Sequence, residues 1–566
     1  MAFPRKNAKI EEGVGPRLLW GLVALAALVR LVYFLYAHEV YGDAVAFAEI
    51  ARSIVAGTGT AIDSSWYQAF CLYQVPFQWL ISDPVWAAAL SSMLPGALLV
   101  WPVVAITDRI FSRGAAIVAG LITIFHPHLV NYSCIGYMES FYLFWFSVTT
   151  LMLVRLFQTP GQLRYATIAG IAAGIAFATR NEFSAFIVVT SAVLLATIPG
   201  FMRKLLNRWS APAEDEDAAS PCPFLELSAV RVLVLVLCFN VSAALTTGIY
   251  AGVSKQLTGS YGLFEKTSNF GRTKDIFNQR AESAREIYGS NGQHAASEEP
   301  KITPVVFVKS MAARFLNNIT HGMVKAVPNL LASPVYVFAG FLLVAWWRRP
   351  RIRMEVLPVI MMLGFTPALY SLIFVQPRYL QPVLPALNVL TGAGFMIALS
   401  MAVNIRLKIP AQAFVRATLV LCLLLLTAIT GWRATKARSE AEIHEKVAHW
   451  VNANIDDSEL LIGCGFGSIS NTAFLSRNKS CPRLVTDSPG ELADFVENHN
   501  GRWLLLYEKF IDEANPGLAP ALDNGLPGFT KVFEEKDAQG KRVQVHRLLP
   551  SSQAAPEEAP IQAASY

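Results

Sequence analysis

About eleven long apolar runs constrain the fold of this chain more than any other feature of its sequence. They lie near residues 17–37, 85–107, 114–130, 137–157, 165–180, 183–200, 229–251, 329–347, 354–375, 382–403 and 411–431. A helix needs about 20 mainly apolar residues to cross the hydrocarbon core of a bilayer. Only 16% of the 566 residues are charged, against about 25% in soluble domains. The sequence therefore predicts a mainly α, polytopic membrane protein of about eleven transmembrane helices.

Basic residues in the short connections predict which side of the membrane each connection faces. Seventeen lysines and arginines fall in the N-terminus and in connections assigned to the inside, whereas the short outer connections hold only Arg52, Arg180 and Arg378. Because positively charged loops stay in the cytoplasm, we expect a cytoplasmic N-terminus. The net charge of +6 is divided among these short clusters, which argues against a nucleic-acid partner and favours membrane lipids.

The pattern divides the chain into three parts. Residues 1–431 form the predicted transmembrane domain, with larger outer loops at 38–84 and 252–328. Residues 432–550 alternate helix-like and strand-like segments, which is typical of a small α/β domain, here on the extracytoplasmic side. Its predicted elements are a helix over 440–454, strands over 459–463, 503–507 and 542–546, and a helix near 490–500. Residues 551–566 are rich in Ala, Pro and Ser, which favours a disordered tail.

Asp43 is the first candidate for a functional side chain, because an acid so close to a membrane span is costly unless it has a role. Phe47, Ile50 and Ile54 follow it at helical spacing. The carboxylate therefore falls on the apolar stripe of a predicted surface helix. Asp is also a preferred helix N-cap, and the residues alone leave both interpretations open.

The other outer connections also carry polar side chains. Glu139 opens the fourth predicted span, Arg180 follows the fifth, and Arg378 with Tyr379 precedes the tenth. Positive residues are disfavoured on this side, so an anionic ligand is the simplest reason to find arginines there. Each candidate has a structural alternative: a pair between Arg180 and Glu182, a headgroup contact for Arg378, a helix cap for Glu139, and a turn for His126 and His128.

Four segments carry a resemblance to a known family. They are Tyr41-Gly42-Asp43, Tyr137-Met138-Glu139, the run from Gly170 to Arg180, and Arg378-Tyr379-Leu380-Gln381-Pro382. Their order and common predicted side resemble the GT-C superfamily of polytopic glycosyltransferases, in particular the bacterial branch akin to protein mannosyltransferases and lipid A aminoarabinose transferases. The resemblance covers roughly residues 17–400. Many relatives carry two adjacent acids in the first loop, whereas Ala44 follows Asp43 here.

This resemblance implies an activity. The protein would move a hexose or pentose from a polyprenyl-phosphate donor to a hydroxyl of a protein, lipid or glycan acceptor, with inversion, on the outer face of a bacterial inner membrane. Asp43 would be the general base. Glu139 would orient the acceptor or hold a divalent metal (Mg²⁺ or Mn²⁺) with a histidine, although the metal ligands are unknown and no cofactor is certain. The substrate-binding residues would be Arg378, Tyr379, Arg180 and His128.

Other classes of protein account for part of the pattern. A polysaccharide polymerase or ligase would keep the outer arginines but would not need an acid in the first loop. A transporter or lipid flippase also gathers charges among its helices, yet such proteins place them at mid-membrane depth and in matched halves. We find no internal repeat in this sequence, which disfavours that class.

Overall fold

The computed structural model describes residues 13–38, 42–57, 69–198, 224, 227–258, 315–316, 318–331, 334–348, 354–372, 378–404, 411–456, 459–463, 472, 475–476, 479–481, 489–498, 501–509, 511 and 516–549. Most of the predicted outer loop 252–328 and the predicted tail 551–566 lie outside these residues.

Helices dominate the described residues. They are α1 (Pro16–Ala37), α2 (Asp43–Ala56), α3 (Ala69–Leu80), α4 (Pro84–Leu98), α5 (Val100–Ile110), α6 (Arg113–Phe125), α7 (Pro127–Cys134), α8 (Glu139–Gln158), α9 (Leu163–Thr179), α10 (Phe183–Leu195), α11 (Ala229–Thr258), α12 (Val324–Leu331), α13 (Val337–Arg348), α14 (Leu357–Leu372), α15 (Val383–Asn404), α16 (Ala411–Asn454), α17 (Pro489–Asn498) and α18 (Ala521–Asn524). Short π and 3₁₀ turns occupy Asn318–Met323, Pro334–Tyr336, Met354–Val356 and Pro516–Leu518.

The apolar helices confirm the prediction of a polytopic helical membrane protein. Within the described ranges, seven helical segments are long and apolar enough to cross a membrane, with α4 and α5 counted as one segment. The pair α6 and α7 passes the same test together, bent by 51°, and adds an eighth if it is one span. The remaining three predicted spans coincide with shorter apolar helices, at Leu163–Thr179, Phe183–Leu195 and Pro334–Ala345. The bend falls at Pro127, which has no N–H to continue the ladder of α6.

The last predicted span and the helix predicted after it form one continuous helix. Residues 432–439 contain no Pro or Gly, so nothing in that segment interrupts the backbone hydrogen bonds. The resulting α16 has 44 residues and is about 66 Å long at 1.5 Å per residue. Roughly half of that length suffices to cross a hydrocarbon core of about 30 Å.

Helices α9 and α11 pack with their backbones close together. A Cβ atom added to Gly170 would lie 2.2 Å from the carbonyl oxygen of Phe239, and one added to Gly174 would lie 2.7 Å from that of Ala243. Small residues four positions apart allow this approach between helices in a membrane. The packing therefore holds the middle of α9 against α11.

The described residues group into two compact units, which we treat separately. The first unit contains those within 1–36, 50–268 and 296–435, and the second contains those within 37–49 and 436–566. The first unit is the helical bundle, whose core is rich in aromatic residues such as Phe146, Phe183 and Phe186.

The second unit contains a five-stranded mixed sheet, which confirms the predicted α/β class. Its strands are β1 (Leu460–Gly463), β2 (Lys479–Cys481), β3 (Trp503–Tyr507), β4 (Phe529–Lys536) and β5 (Arg542–Leu548), in the order β2-β1-β3-β5-β4. The first three strands are parallel, whereas β5 runs antiparallel to both β3 and β4. The strands predicted at β1, β3 and β5 are present, and so is the helix predicted near 490–500.

Side chains of β3 alternate between two cores, as the pleat of a strand requires. Leu504 and Leu506 pack in one core with Leu492 of α17. Trp503 and Leu505 pack in the other core, against the end of α16. The sequence does not single out the edge strand β4, because charged residues interrupt its apolar pattern; such charges protect a sheet edge from pairing with other chains.

Candidate active site

A hydrogen-bonded turn positions Glu139 at the start of α8. The hydroxyl of Ser92 on α4 donates to the carbonyl of Ser133 at 2.8 Å and accepts the N–H of Gly136 at 3.2 Å. Gly136 has a φ of 78°, a left-handed conformation that glycine adopts without strain. The turn brings the carboxylate of Glu139 into the protein, where the residue is only 2% exposed.

Arg180 lies between two carboxylates directly after α9 ends. Its Nη1 atom is 3.7 Å from Oε1 of Glu139, and its Nη2 atom is 3.5 Å from Oε1 of Glu182. Nη2 also donates to the hydroxyl of Tyr370 at 2.8 Å. Arg180 and Glu139 are both buried, whereas the side chain of Glu182 is 27% exposed. Burial makes this pairing necessary, because an unpaired charge in such a place is costly.

Two stacked tyrosines form one wall of this cluster. The rings of Tyr370 on α14 and Tyr379 are parallel within 11°, with centroids 5.2 Å apart. The Tyr370 hydroxyl donates to Oε1 of Glu182 at 3.3 Å. The guanidinium of Arg180 lies 4.8 Å from the centroid of Tyr379, which is within the range of a cation–π contact.

Arg378 contacts the same tyrosine ring. Its guanidinium carbon is 4.8 Å from the Tyr379 centroid, and its Nη2 donates to the Tyr379 hydroxyl at 2.8 Å. Arg378 is half-buried, so part of the side chain is accessible. Two guanidiniums therefore lie close to one aromatic ring, beside a buried carboxylate.

Four of the six residues predicted from the sequence meet in this cluster. They are Glu139, Arg180, Arg378 and Tyr379, and the alternative pairing of Arg180 with Glu182 is also present. Sequence reasoning missed Tyr370. A tyrosine near the end of an apolar helix is ordinary at a membrane interface, so no local signal marks it.

His128 is held in a different set of contacts. It is only 5% exposed on α7, and its Nδ1 and Nε2 atoms lie 3.1 and 3.0 Å from the two terminal nitrogens of Arg433. The rings of His126 and Tyr132 lie on its flanks, with centroids 5.9 and 6.1 Å away. The partner Arg433 was not predicted, because it follows an apolar run as an ordinary flanking cation.

Asp43 is the first residue of α2 and is half-buried, within the second unit. Gly42 precedes it with a φ of 58°, and this left-handed residue begins the helix. Phe47 and Ile50 are fully buried and Ile54 is half-buried, as the predicted apolar stripe requires. A carboxylate in the first turn interacts favourably with the helix dipole, whereas the helix cap and the catalytic role of Asp43 both stay predictions.

Within the described residues, no group of three or more His, Cys, Asp and Glu side chains is arranged to hold a metal ion. The carboxylate of Glu139 has Arg180 beside it, and a fixed cation at that place competes with a metal. These contacts favour the orienting role over the metal-binding role for Glu139.

Comparison with known proteins supports the sequence-based resemblance. Residues 72–211 match the family model of dolichyl-phosphate-mannose-protein mannosyltransferases. The oligosaccharyltransferase of Archaeoglobus fulgidus, solved with a tethered acceptor peptide containing the NVT sequon, is 10% identical over 97% of this chain and 75% of its own, with a TM-score of 0.50. The same protein, AglB, with an inhibitory peptide and a dolichol-phosphate matches over 96% and 75%, again at 10% identity and a TM-score of 0.50.

ArnT from Cupriavidus metallidurans, bound to undecaprenyl phosphate, is 15% identical over 95% of this chain and 99% of its own, with a TM-score of 0.48. No curated protein matches the chain in sequence. The resemblance predicted from the sequence is confirmed at the level of the fold, which is that of the archaeal oligosaccharyltransferase.

Proposed function

We propose that this protein is an integral membrane glycosyltransferase that moves a sugar from a polyprenyl-phosphate donor to an acceptor hydroxyl. The fold is that of an oligosaccharyltransferase whose structure has been solved with a dolichol-phosphate and with an acceptor peptide. The segment that matches the dolichyl-phosphate-mannose-protein mannosyltransferases contains both Glu139 and Arg180. A hydroxyl of a protein, lipid or glycan would serve as the acceptor.

The cluster around Tyr379 is the observation that carries this proposal. Glu139 and Arg180 stand at the ends of α8 and α9, and Arg378 shares the same tyrosine ring. Charges at helix ends suit chemistry on a headgroup at the membrane surface, whereas a transporter needs them at mid-membrane depth. The arrangement therefore favours an enzyme acting on a lipid headgroup.

The reaction assigns a task to each charge. The acceptor oxygen attacks the anomeric carbon, the bond from that carbon to the phosphate oxygen breaks, and the acceptor proton passes to a carboxylate. We assign Asp43 as this base. The polyprenyl phosphate leaves with an additional negative charge, which the guanidinium of the half-buried Arg378 stabilises. Attack opposite the leaving phosphate inverts the anomeric centre.

Arg180 has a positioning role in this scheme. Two carboxylates and a tyrosine hydroxyl already surround its guanidinium, so it holds Glu139 in place, and Glu139 orients the acceptor. His128, paired with Arg433, contributes to binding the substrate on the same side. A divalent metal, Mg²⁺ or Mn²⁺, would require ligands beyond the groups described around Glu139; one structure of the archaeal protein contains Zn and sulfate.

The proposed topology follows the charge bias of the loops. The N-terminus is cytoplasmic, residues 1–431 form the catalytic membrane domain, and residues 432–550 form an extracytoplasmic domain. The membrane is a bacterial inner membrane. This orientation is tested by introducing single cysteines into the second unit and treating intact cells with a thiol reagent that does not cross the membrane. A lack of labelling would place the second unit on the cytoplasmic side.

The activity is tested with the purified full chain and a panel of polyprenyl-phosphate sugars, by measuring the release of free polyprenyl phosphate. Asp43→Asn should abolish release, whereas Glu49→Gln, which removes a carboxylate from the same helix, should preserve it. Arg378→Lys keeps the charge but loses the planar fork, so it should retain part of the rate and Arg378→Ala should lose most of it.

Two outcomes would redirect this proposal. Full activity in Asp43→Asn would remove Asp43 from the mechanism and favour a polymerase or ligase chemistry that needs no acid in the first loop. Release from none of the monosaccharide donors, with turnover of a lipid-linked glycan, would identify the glycan as the donor instead.

A further inference from the structure

A second group of arginines lies at the opposite ends of α8 and α9. The guanidinium carbons of Arg155 and Arg164 are 5.8 and 4.9 Å from the ring centroid of Tyr165, and Arg164 donates to the Tyr165 hydroxyl at 3.2 Å. Arg109, at the end of α5, lies within electrostatic range of both Arg155 and Tyr165. Two of these cations thus lie over one tyrosine ring, and a third, from another helix, acts on it electrostatically.

The helices themselves separate this group from the candidate active site. Sixteen residues separate Glu139 from Arg155 along α8, and sixteen separate Arg164 from Arg180 along α9 and its end. At 1.5 Å per residue each separation is about 24 Å, which is comparable with a hydrocarbon core of about 30 Å. The two charged groups therefore lie at opposite membrane interfaces.

The described surroundings of the three arginines supply no ion pair, and one acid, Asp108, lies within electrostatic range of Arg109. No carboxylate of the described residues forms an ion pair with Arg109, Arg155 or Arg164. Asp108 interacts with Arg109 electrostatically without forming an ion pair, and its carboxylate accepts the N–H of Val14 at 3.2 Å.

Neutral groups hold parts of the cluster in place. Gln158 accepts from the Arg109 guanidinium at 3.4 Å and donates to the Arg109 carbonyl at 3.2 Å. The Nε of Arg155 is buried and has no hydrogen-bond partner within the described structure. Arg109 and Arg164 are exposed, so a ligand has access.

We propose that these three arginines bind the phosphate of an anionic phospholipid headgroup in the leaflet opposite the candidate active site. The positive-inside rule depends on how many arginines a loop contains and not on where their side chains point. It therefore does not explain why these arginines converge on Tyr165. A phosphate supplies a negative charge within ion-pair distance and several acceptor oxygens. The position at a helix end favours a lipid headgroup as its source.

The proposal is tested by native mass spectrometry of the full chain released from nanodiscs that contain phosphatidylglycerol and phosphatidylcholine. The wild-type protein should retain phosphatidylglycerol preferentially. Each arginine near a membrane surface strengthens the binding of anionic lipid about fivefold, so Arg155→Gln with Arg164→Gln should lower retention about 30-fold. Arg113→Gln removes an exposed arginine at the start of α6 that makes none of these contacts. It measures the general attraction of a surface arginine for anionic lipid and should lower retention less than Arg164→Gln does.

If the double variant does not fold, Arg164→Gln alone tests the proposal, because this exposed side chain is dispensable for packing. Its retention of phosphatidylglycerol should fall about fivefold. Equal retention in the wild type and Arg164→Gln would overturn the proposal, and so would equal retention of the two lipids by the wild type. If soluble inorganic phosphate at the same concentration as the lipid displaces the lipid, the arginines form a site for free phosphate and the proposed lipid site is wrong.

Discussion

Replacing Arg180 by methionine should destabilise the protein by leaving the carboxylate of Glu139 buried without its cation. The Arg180 and Glu139 side chains are only 4% and 3% exposed, with Nη1 and Oε1 3.7 Å apart. At an effective dielectric constant of about 20, two charges at this separation attract each other by roughly 4.5 kcal/mol. Removal of one partner of a buried pair costs about 3–5 kcal/mol in other proteins, so both arguments give a loss of about 4 kcal/mol.

The matched variant removes the other charge as well. Glu139→Gln in the Arg180→Met background eliminates the uncompensated carboxylate, and an ion pair replaced by neutral side chains of similar volume often costs little. We therefore expect the double variant to recover more than half of the lost stability. Reversible unfolding in mixed micelles, followed by tryptophan fluorescence, of the wild type, Arg180→Met, Glu139→Gln and the double variant provides the four free energies of the cycle.

Two results would refute this reasoning. A loss below about 1 kcal/mol in Arg180→Met would place the pair in the range of exposed salt bridges. A double variant no more stable than Arg180→Met would mean that the loss comes from packing and not from the charge of Glu139. Activity discriminates further, because a positioning role for Arg180 requires that Arg180→Lys, which keeps the charge, preserve more turnover than Arg180→Met.

Three further outcomes follow from the structure. Gly170→Ala places a Cβ 2.2 Å from the carbonyl oxygen of Phe239 and should lower the free energy of unfolding by about 1–3 kcal/mol, with a lower yield of folded protein as the readout. In the control Gly248→Ala the added Cβ has nothing within 4 Å, so its yield should equal that of the wild type. Burial lowers the pKa of His546 from 6.5 to about 4, so the stability contributed by its neutral ring is complete above pH 6.5 and is lost as the pH falls toward 4. The loss should reach about 3 kcal/mol, and His546→Gln should remove the part of the pH dependence of unfolding that this ring contributes. Ser92→Ala leaves the N–H of the turn before α8 without its acceptor and should cost about 1–3 kcal/mol; an unchanged unfolding free energy would show that the hydroxyl does not hold that turn.

The sequence predicted most of the membrane architecture because its signals are local. Each apolar run can be read without knowing its neighbours in space, since the length needed to cross a bilayer is fixed by the bilayer. The continuity of α16 is not such a signal. Residues 432–439 are polar enough to suggest a connection, yet their helix propensity keeps the backbone helical.

The sequence of the second unit was less informative. The strands β1, β3 and β5 are apolar runs and were predicted, whereas β2 has three residues and β4 carries exposed charges. Both are edge strands of the sheet, and an edge strand is recognised by its partner rather than by its own pattern. The parallel pairing of β1 with β2 and β3 likewise depends on how the chain crosses over.

The sequence by itself determined how many apolar segments the chain has, which residues end them, and that Glu139, Arg180, Arg378 and Tyr379 belong to one predicted side. Only the tertiary structure decided which of these side chains are partners. Arg180 meets Tyr370 across 190 positions of sequence, and His128 meets Arg433 across 305. Hydrophobicity and charge bias act along the chain and can be read from it, whereas these partners are chosen by how the helices pack, because burial makes a polar group without a hydrogen-bond partner costly.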